Sequence, residues 1–192
     1  MIKSFFLLLW SVLTCVFIQA QEPMSYESNP SDAGSFNLRS NTLSWLLLIP
    51  NLGIEYKPSE QIGLLLEGNL AHWNFAKKGN DHYWHHWNVS PAVRYYMNEQ
   101  RDVYLAVQGQ LGAYNIGNEQ AKYYSGGLGF GKQYYVSKKM QLDLGLTFGY
   151  LRREELEKIK QVNGVFYRRG AVENKGYWGP TQVQVSFIRK LN

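Results

Sequence analysis

Residues 123–151 read YYSGGLGFGKQYYVSKKMQLDLGLTFGYL and contain the clearest strand pattern of the chain. In both of its arms, large apolar side chains alternate with glycine, amide, hydroxyl and carboxylate groups. The apolar set is Tyr124, Leu128, Phe130, Tyr134 and Val136 in the first arm, then Leu142, Leu144, Leu146, Phe148 and Tyr150 in the second. A period of two is typical of a strand with two unlike faces. Because Ser137-Lys138-Lys139 joins the arms, the stretch predicts an antiparallel hairpin.

The same alternation recurs along the chain before and after this hairpin. From Asn51 onward it appears in segments separated by short turns such as Pro58-Ser59-Glu60. Residues 36–43 have a weaker pattern and are predicted as a first strand, followed by a bend at residues 44–50. Counting this strand gives eight, and an even number lets an antiparallel sheet close without a bare edge.

Polar segments separate several of the predicted strands. Residues 74–83 and 115–122 are predicted as loops. Residues 152–176 are the most charged segment, and Asn163-Gly164 within it suits a tight hairpin turn. We expect two strand extensions that project from the sheet there, with a short helix at residues 153–160 as the alternative.

The amino-terminal residues predict export from the cytoplasm. Lys3 precedes an apolar run at residues 5–18, and Ala20 follows it, which is typical of a signal peptide over residues 1–20. The run is shorter than the roughly 20 residues that a membrane-spanning helix needs.

Composition narrows the class of protein further. Cys15 is the only cysteine, so cleavage of the signal peptide leaves a chain without cysteines or disulfides. The alternative is a lipoprotein in which Cys15 is retained and lipidated. Residues 21–35 are polar and predict a flexible periplasmic tail. The net charge of +5 comes without a basic stripe or binding motif, which excludes nucleic acid as a partner.

Alternation alone does not tell which face of the sheet points inward. A secreted soluble barrel would bury the apolar face around a ligand cavity, whereas an outer-membrane barrel turns that face towards lipid. Few long charged side chains lie on the polar face, short and long connections alternate, and a signal peptide is present. We therefore predict an all-β fold, an eight-stranded antiparallel up-and-down transmembrane β-barrel of the outer-membrane type over residues 36–192. It would lie in the outer membrane of a Gram-negative bacterium.

Aromatic side chains gather near the ends of the predicted strands, as they do at the two interfaces of a membrane. The predicted aromatic girdle consists of Tyr56, Trp73, Trp84, Trp87, Tyr95, Tyr134, Tyr177 and Trp178.

The inward face carries a set of polar side chains. The predicted interior network consists of Glu55, Glu67, Arg94, Gln108, Gln110, Gln133 and Asp143. Side chains just fill a barrel of eight strands, and buried charges are costly unless they are paired. We expect these groups to plug the lumen with ion pairs and amides, with a narrow ion path as the alternative.

The sequence predicts no enzyme, metal or cofactor. His82, His85 and His86 lie at a loop–strand junction, where they are expected to form a rim without binding metal. A lipid-modifying enzyme is the alternative, and it would need a serine within reach of a histidine base. Ser90 lies four residues from His86, or about 13 Å along a strand, which is too far for direct contact.

The charged segment is the candidate surface contact, through Arg152, Arg153, Arg168 and Arg169. A simple solvated hairpin is the alternative for this segment.

Several short motifs together resemble a known family. These are Pro50-Asn51-Leu52-Gly53-Ile54-Glu55-Tyr56, Val93-Arg94-Tyr95-Tyr96, Gly129-Phe130-Gly131-Lys132, Leu142-Asp143-Leu144-Gly145, Gly149-Tyr150-Leu151 and Trp178-Gly179-Pro180-Thr181. As an ordered set they resemble a domain of unknown function found in small outer-membrane barrels of Bacteroidetes-type bacteria. The resemblance implies a structural or interaction role, a link to surface fimbriae or adhesion, and partners among outer-membrane lipid and envelope proteins. It supplies no catalytic residues, and the final Leu191-Asn192 departs from the aromatic terminus usual in outer-membrane barrels.

Overall fold

A computed structural model describes residues 33–77, 80–97, 100–116, 119–137, 139–156, 158–162, 165–169 and 174–191. Side chains within residues 75–83 and 155–174 are not described. The predicted signal peptide and most of the predicted periplasmic tail lie outside the described residues.

Eight antiparallel strands close into a barrel, as the alternation predicted. They are β1 (Ser35–Asn41), β2 (Asn51–Lys57), β3 (Ile62–Lys77), β4 (Asn80–Tyr96), β5 (Val103–Ile116), β6 (Glu119–Ser137), β7 (Met140–Leu156) and β10 (Asn174–Lys190). Each strand pairs with its neighbour in the barrel order, and β1 pairs with β10 to close the wall. The weakly patterned first strand therefore exists, and the count of eight is confirmed.

Residues 123–151 form the predicted antiparallel hairpin, which makes up most of β6 and β7. Leu128 lies opposite Phe148 and Phe130 lies opposite Leu146, so the apolar side chains of the two strands share one face. Such cross-strand pairs stabilise a sheet and fix its register.

The two loops predicted at residues 74–83 and 115–122 were wrong. β3 and β4 remain paired up to Lys77 and Asn80, and β5 and β6 up to Ile116 and Glu119. Loops were predicted there because the residues are polar. The backbone hydrogen bonds of a sheet do not require an apolar face, so polar strands can stay paired where both sides of the sheet meet water.

A short helix and a second small sheet interrupt the barrel pattern. Helix α1 (Thr42–Leu46) begins inside the segment predicted as strand and runs into the predicted bend, with the Asn41 side chain capping its start by accepting from Leu43 N. Strands β8 (Lys158–Val162) and β9 (Val165–Arg169) form a separate antiparallel hairpin on either side of Asn163-Gly164. Two strands were expected there, and the alternative helix at residues 153–160 was wrong. No helix among the described residues is long and apolar enough to cross a membrane.

The barrel is polar inside and apolar outside. Leu70, Leu128 and Val107 expose 68%, 69% and 64% of their surface, whereas Glu55 and Asp143 expose none. Among the described residues, the buried apolar cluster is small and consists of Tyr96, Tyr104 and Ala106.

The two ends of the barrel differ. The first and last strands begin and end beside the short turns that join β2 to β3, β4 to β5 and β6 to β7. We call this the turn end. Helix α1 and the β8–β9 hairpin lie in connections at the opposite end, which we call the hairpin end.

Candidate functional site

The lumen near the turn end is filled by a cluster of charged side chains that we call the plug. Its centre is Arg39, which is 1% exposed and projects inward from β1. Its Nη1 donates to Glu55 Oε2 at 3.2 Å, and its Nη2 donates to Asp143 Oδ2. Its Nε lies 3.0 Å from Glu67 Oε1, an ionic contact without hydrogen-bond geometry. One guanidinium thus joins carboxylates from β2, β3 and β7.

Arg94 on β4 is the second cation of the plug. Its Nη1 donates to Asp143 Oδ2 at 2.9 Å, and its Nη2 donates to Gln184 Oε1 at 3.0 Å. The guanidinium also lies 4.1 Å from the ring centroid of Tyr104, whose hydroxyl donates to Asp143 Oδ1 at 2.9 Å. Asp143 is therefore held by two arginines and a phenol at once.

A third cation, Lys57, completes the plug on the side nearest the turn end. The Lys57 ammonium lies 4.3 Å from the centroid of Tyr96, and the Tyr96 hydroxyl donates to Glu55 Oε1 at 2.6 Å. Gln133 Nε2 donates to the same hydroxyl at 3.0 Å. Together with Arg39 and Arg94, Lys57 balances the three carboxylates Glu55, Glu67 and Asp143, so the plug has no net formal charge.

Between the plug and the hairpin end, the lumen is lined by uncharged polar groups. Gln182 Nε2 donates to Glu67 Oε2 at 3.1 Å, and the Gln182 carbonyl accepts from Gln108. The Gln108 carbonyl accepts from the Thr147 hydroxyl at 3.0 Å. These amides separate the charges of the plug from the hairpin end.

A second row of amides crosses β2, β3 and β4 at this level, and we call it the asparagine row. Asn51 Nδ2 donates to Asn69 Oδ1 at 2.9 Å, and Asn69 Nδ2 donates to Asn88 Oδ1 at 2.5 Å. Asn88 Nδ2 then donates to the Tyr123 hydroxyl at 3.1 Å, which also lies 2.9 Å from His86 Nε2.

The structure brings most of the predicted interior residues together. Glu55, Glu67, Arg94 and Asp143 form the plug with Gln133 at its edge, and Gln108 lies directly above it. Gln110 lies apart from them and accepts a hydrogen bond from the Ser125 hydroxyl at 3.3 Å.

Sequence reasoning missed Arg39, Tyr96 and Tyr104, which bind all three carboxylates between them. Arg39 lies in the strand with the weakest alternation, so its face could not be assigned. Tyr96 and Tyr104 were hidden because tyrosine suits either an apolar face or a buried hydrogen bond. The excess of predicted carboxylates over Arg94 was the signal that a further inward cation was needed.

The predicted aromatic girdle divides between the two faces of the sheet. Tyr56, Trp87, Tyr95, Tyr134 and Trp178 lie on the outer face. Trp73, Trp84 and Tyr177 share the phase of inward side chains, although Trp73 and Tyr177 are 42% and 49% exposed, and their place in a girdle stays a prediction. Trp84 is three residues before Trp87, and an odd separation along a strand puts the two side chains on opposite faces. In β10, a bulge between Pro180 and Gln182 moves Tyr177 from an outward to an inward position.

The histidines lie near the hairpin end. His85 stacks on His72 across the strands, with ring centroids 3.8 Å apart, and its Nε2 donates a hydrogen bond to Asn74 Oδ1 at 2.7 Å. His86 faces Tyr123, and the His82 side chain lies outside the described residues. Among the described residues, no group of three His, Cys, Asp or Glu side chains could hold a metal ion.

The serines considered for an enzyme are dispersed. Ser90 and Ser186 are buried in the lumen, and in the described part of the chain neither hydroxyl has a hydrogen-bond partner. Ser125 donates to Gln110. The enzyme alternative thus gains no serine–histidine pair from these positions.

The arginines of the candidate surface contact lie on two elements. Arg152 and Arg153 are in the upper part of β7, where Arg153 Nη1 donates to the Tyr114 hydroxyl at 3.1 Å. Arg168 and Arg169 are in β9, paired with Ile159 and Lys158, and their side chains are not described.

The chain belongs to a family of proteins of unknown function, DUF3575, whose sequence profile matches residues 6–191. No curated protein and no solved structure shows a significant match to the chain. The family match covers every strand of the barrel. It names no activity, so the function has to be argued from the geometry.

Proposed function

We propose that this protein is an outer-membrane β-barrel with a structural or interaction role. The observation that carries the proposal is the inverted barrel: ionised side chains fill the interior, and leucine, valine and aromatic side chains cover the outside. A water-soluble protein exposes apolar patches of only a few hundred Å². An apolar belt around the whole wall instead suits a hydrocarbon surrounding.

The height of the belt supports a membrane location. On β4 the belt runs from Trp87 to Tyr95, and on β10 it runs from Trp178 to Phe187. These eight and nine residue steps at about 3.3 Å, tilted by roughly 40°, correspond to about 20–23 Å along the barrel axis. The apolar band of outer-membrane barrels is about 25 Å tall.

The plug favours a structural role over a channel. Arg39, Arg94 and Lys57 meet three carboxylates and two tyrosines in one layer, and these side chains are at most 1% exposed. A small barrel of eight strands is just filled by such side chains. The filled lumen supports a closed barrel, in which the plug joins β1 to β7 and β4 to β7 by ion pairs.

The hairpin end suits contact with a partner. Outer-membrane barrels place their short turns in the periplasm and their longer segments outside the cell. By that rule the β8–β9 hairpin with Arg168 and Arg169 faces the exterior. We propose that it contacts an envelope or surface-fibre protein, in line with the link to fimbriae and Bacteroidetes that the resemblance implies.

Mobility in gels tests the membrane proposal. The protein would be extracted from membranes in mild detergent and run on SDS gels with and without boiling. We expect extraction to require detergent and the unboiled protein to migrate as a compact closed barrel. Solubility without detergent, together with equal mobility in both lanes, would overturn the proposal.

Loop replacement tests the interaction role separately. Residues 158–169 would be replaced by a short glycine–serine linker, and cross-linked partners would be recovered from intact cells. We expect the variant to lose a cross-linked partner, while its mobility on SDS gels still differs between boiled and unboiled samples. Recovery of the same partners by both proteins would refute a role of the hairpin.

A further inference from the structure

Strand pairing places two histidines side by side near the hairpin end. His72 of β3 lies directly opposite His85 of β4, and their imidazole rings stack with centroids 3.8 Å apart. Sequence reasoning did not group these two residues, because they are distant in the chain and only the register of β3 and β4 brings them together.

The pair lies on the outer face of the barrel, just beyond the apolar belt. Alternate residues of a strand share a face. Leu70 and Trp87, two positions away on β3 and β4, point outward and are 68% and 48% exposed. The His72 side chain is exposed and the His85 side chain is half-buried. Both imidazoles are therefore accessible from the medium at the hairpin end.

One hydrogen bond fixes the tautomer of His85. Its Nε2 donates to Asn74 Oδ1 at 2.7 Å, so in the neutral ring the lone pair is on Nδ1. Histidine binds metals as the neutral imidazole. A metal-binding histidine usually donates its other ring N–H group to an oxygen atom, which sets the orientation of the ring. Asn74 gives His85 this arrangement.

The surroundings of the pair suit a cation. In the part of the chain that the structure describes, the outward residues around the two histidines are uncharged; they are Leu70, Asn74, Trp87, Ala113 and Asn115. Asn115 of β5 lies opposite His85, on the side away from His72. A metal ion at the two imidazoles therefore meets no ammonium or guanidinium group of these neighbours.

We propose that His72 and His85 bind a divalent late first-row transition metal ion, Cu²⁺ more tightly than Zn²⁺. His85 binds the ion through Nδ1 and keeps its hydrogen bond to Asn74. The exposed His72 ring turns out of the stack and presents a nitrogen to the same ion. Imidazole suits Cu²⁺, Ni²⁺ and Zn²⁺, and the affinity of a given site is highest for Cu²⁺.

The coordination of the ion is completed by water. Among the described residues, no third His, Cys, Asp or Glu side chain joins the pair. The ion is therefore exchangeable, and it joins β3 to β4 beyond the belt. The metal site is independent of the membrane location proposed above, because its ligands are brought together by the pairing of β3 with β4 alone.

Pulsed EPR of the Cu²⁺-loaded protein counts the imidazoles that bind the ion. The protein would be expressed without a histidine tag, purified in mild detergent and loaded with equimolar Cu²⁺. The remote nitrogens of the coordinated rings should give the combination lines of two imidazoles. A spectrum of one imidazole or none in the native protein would overturn the site.

Two phenylalanine substitutions keep aromatic rings on the outer face but remove the ligands. His72→Phe and His85→Phe should each leave at most one coordinated imidazole and weaken Cu²⁺ binding. His86→Gln is the matched control, because His86 is next to His85 in the chain but faces Tyr123 in the lumen. A two-imidazole spectrum that survives His72→Phe, or that is lost in His86→Gln, would contradict the proposal.

Asn74→Leu tests the hydrogen bond that orients His85. Both imidazoles remain, so the spectrum should still show two, whereas the affinity for Cu²⁺ should fall about 10–100-fold. An unchanged affinity would refute the positioning role of Asn74.

Competition with other ions tests the chemistry of the ligands. Zn²⁺ should displace Cu²⁺ only in excess, and Mg²⁺ should not displace it, because Mg²⁺ prefers oxygen ligands. Displacement by Mg²⁺ would rule out a site made of imidazoles.

Discussion

Removal of Arg39 is the most direct test of the plug. Arg39 makes ionic contacts with Glu55, Glu67 and Asp143, and its side chain is fully buried. Arg39→Met keeps much of the side-chain length without the charge. The plug then contains two cations against three carboxylates.

The size of the effect follows from what remains around each carboxylate. Asp143 keeps Arg94 Nη1 at 2.9 Å, whereas Glu55 keeps it only at 3.8 Å. Glu67 keeps amide donors but no cation. Because one partner of a buried ion pair is removed, we expect the free energy of unfolding to fall by about 3–5 kcal/mol.

A second substitution separates charge balance from lost packing. Glu67→Gln removes one negative charge and keeps a group that can accept hydrogen bonds from Gln182 and Gln184. Combined with Arg39→Met, it restores equal numbers of charges in the plug. The double variant should therefore be more stable than the sum of the two single effects predicts, by about 1–3 kcal/mol.

Urea unfolding in phospholipid vesicles, followed by tryptophan fluorescence, measures these free energies. Arg101→Met is the control, because the Arg101 and Glu60 side chains form an ion pair in which each is 37% exposed. Such an exposed pair contributes about 0–1 kcal/mol. An Arg39→Met effect no larger than that of the control, or strict additivity in the double variant, would refute the plug as a charge-balanced network.

Three further substitutions test other parts of the barrel by the same unfolding assay. Arg94→Ala leaves Asp143 with one arginine and should cost about 3 kcal/mol; unchanged stability would count against the network. Leu128→Lys places a charge on the outer wall and should cost about 2–4 kcal/mol in a membrane, whereas an effect below about 0.5 kcal/mol would favour an outer wall in water. Gly149→Ala drives a methyl group into the backbone of Gly126 and Gly127 and should cost about 1–3 kcal/mol, and a neutral result would show that these strands are not in such close contact.

Side-chain alternation was sufficient to predict the architecture. The two phases of residues 123–151 are the two faces of β6 and β7, and the polar phase contains Gln133 and Asp143, which are buried. Apolar and polar side chains alternate in the sequence of a strand wherever its two faces have different surroundings. This is why the count of strands and the direction of Glu55, Glu67 and Arg94 could be predicted.

The ends of the strands could not be predicted in the same way. Beyond the apolar belt both faces meet polar surroundings, so residues 74–83 lose their alternation although β3 and β4 stay paired. The bulge between Pro180 and Gln182 exchanges the inward and outward positions in the part of β10 that precedes it. Counting alternate residues back from Phe187 does not reveal this exchange. The contacts that join Arg39 to Asp143 depend on closure of the barrel, and a local pattern carries no information on that closure.

The shortness of β1 and β2 sets the level of the plug. Both strands contain seven residues, which is enough to carry Arg39 and Glu55 into the lumen near the turn end. β10 pairs with β1 only from Ser186 to Lys190, and β3 pairs with β2 only from Leu64 to Asn69, so every strand is paired with both of its neighbours only at this level. The ion pairs of the plug therefore lie where the backbone pairing is complete, and they add side-chain contacts that join β1 to β2, β3 and β7 and join β4 to β7.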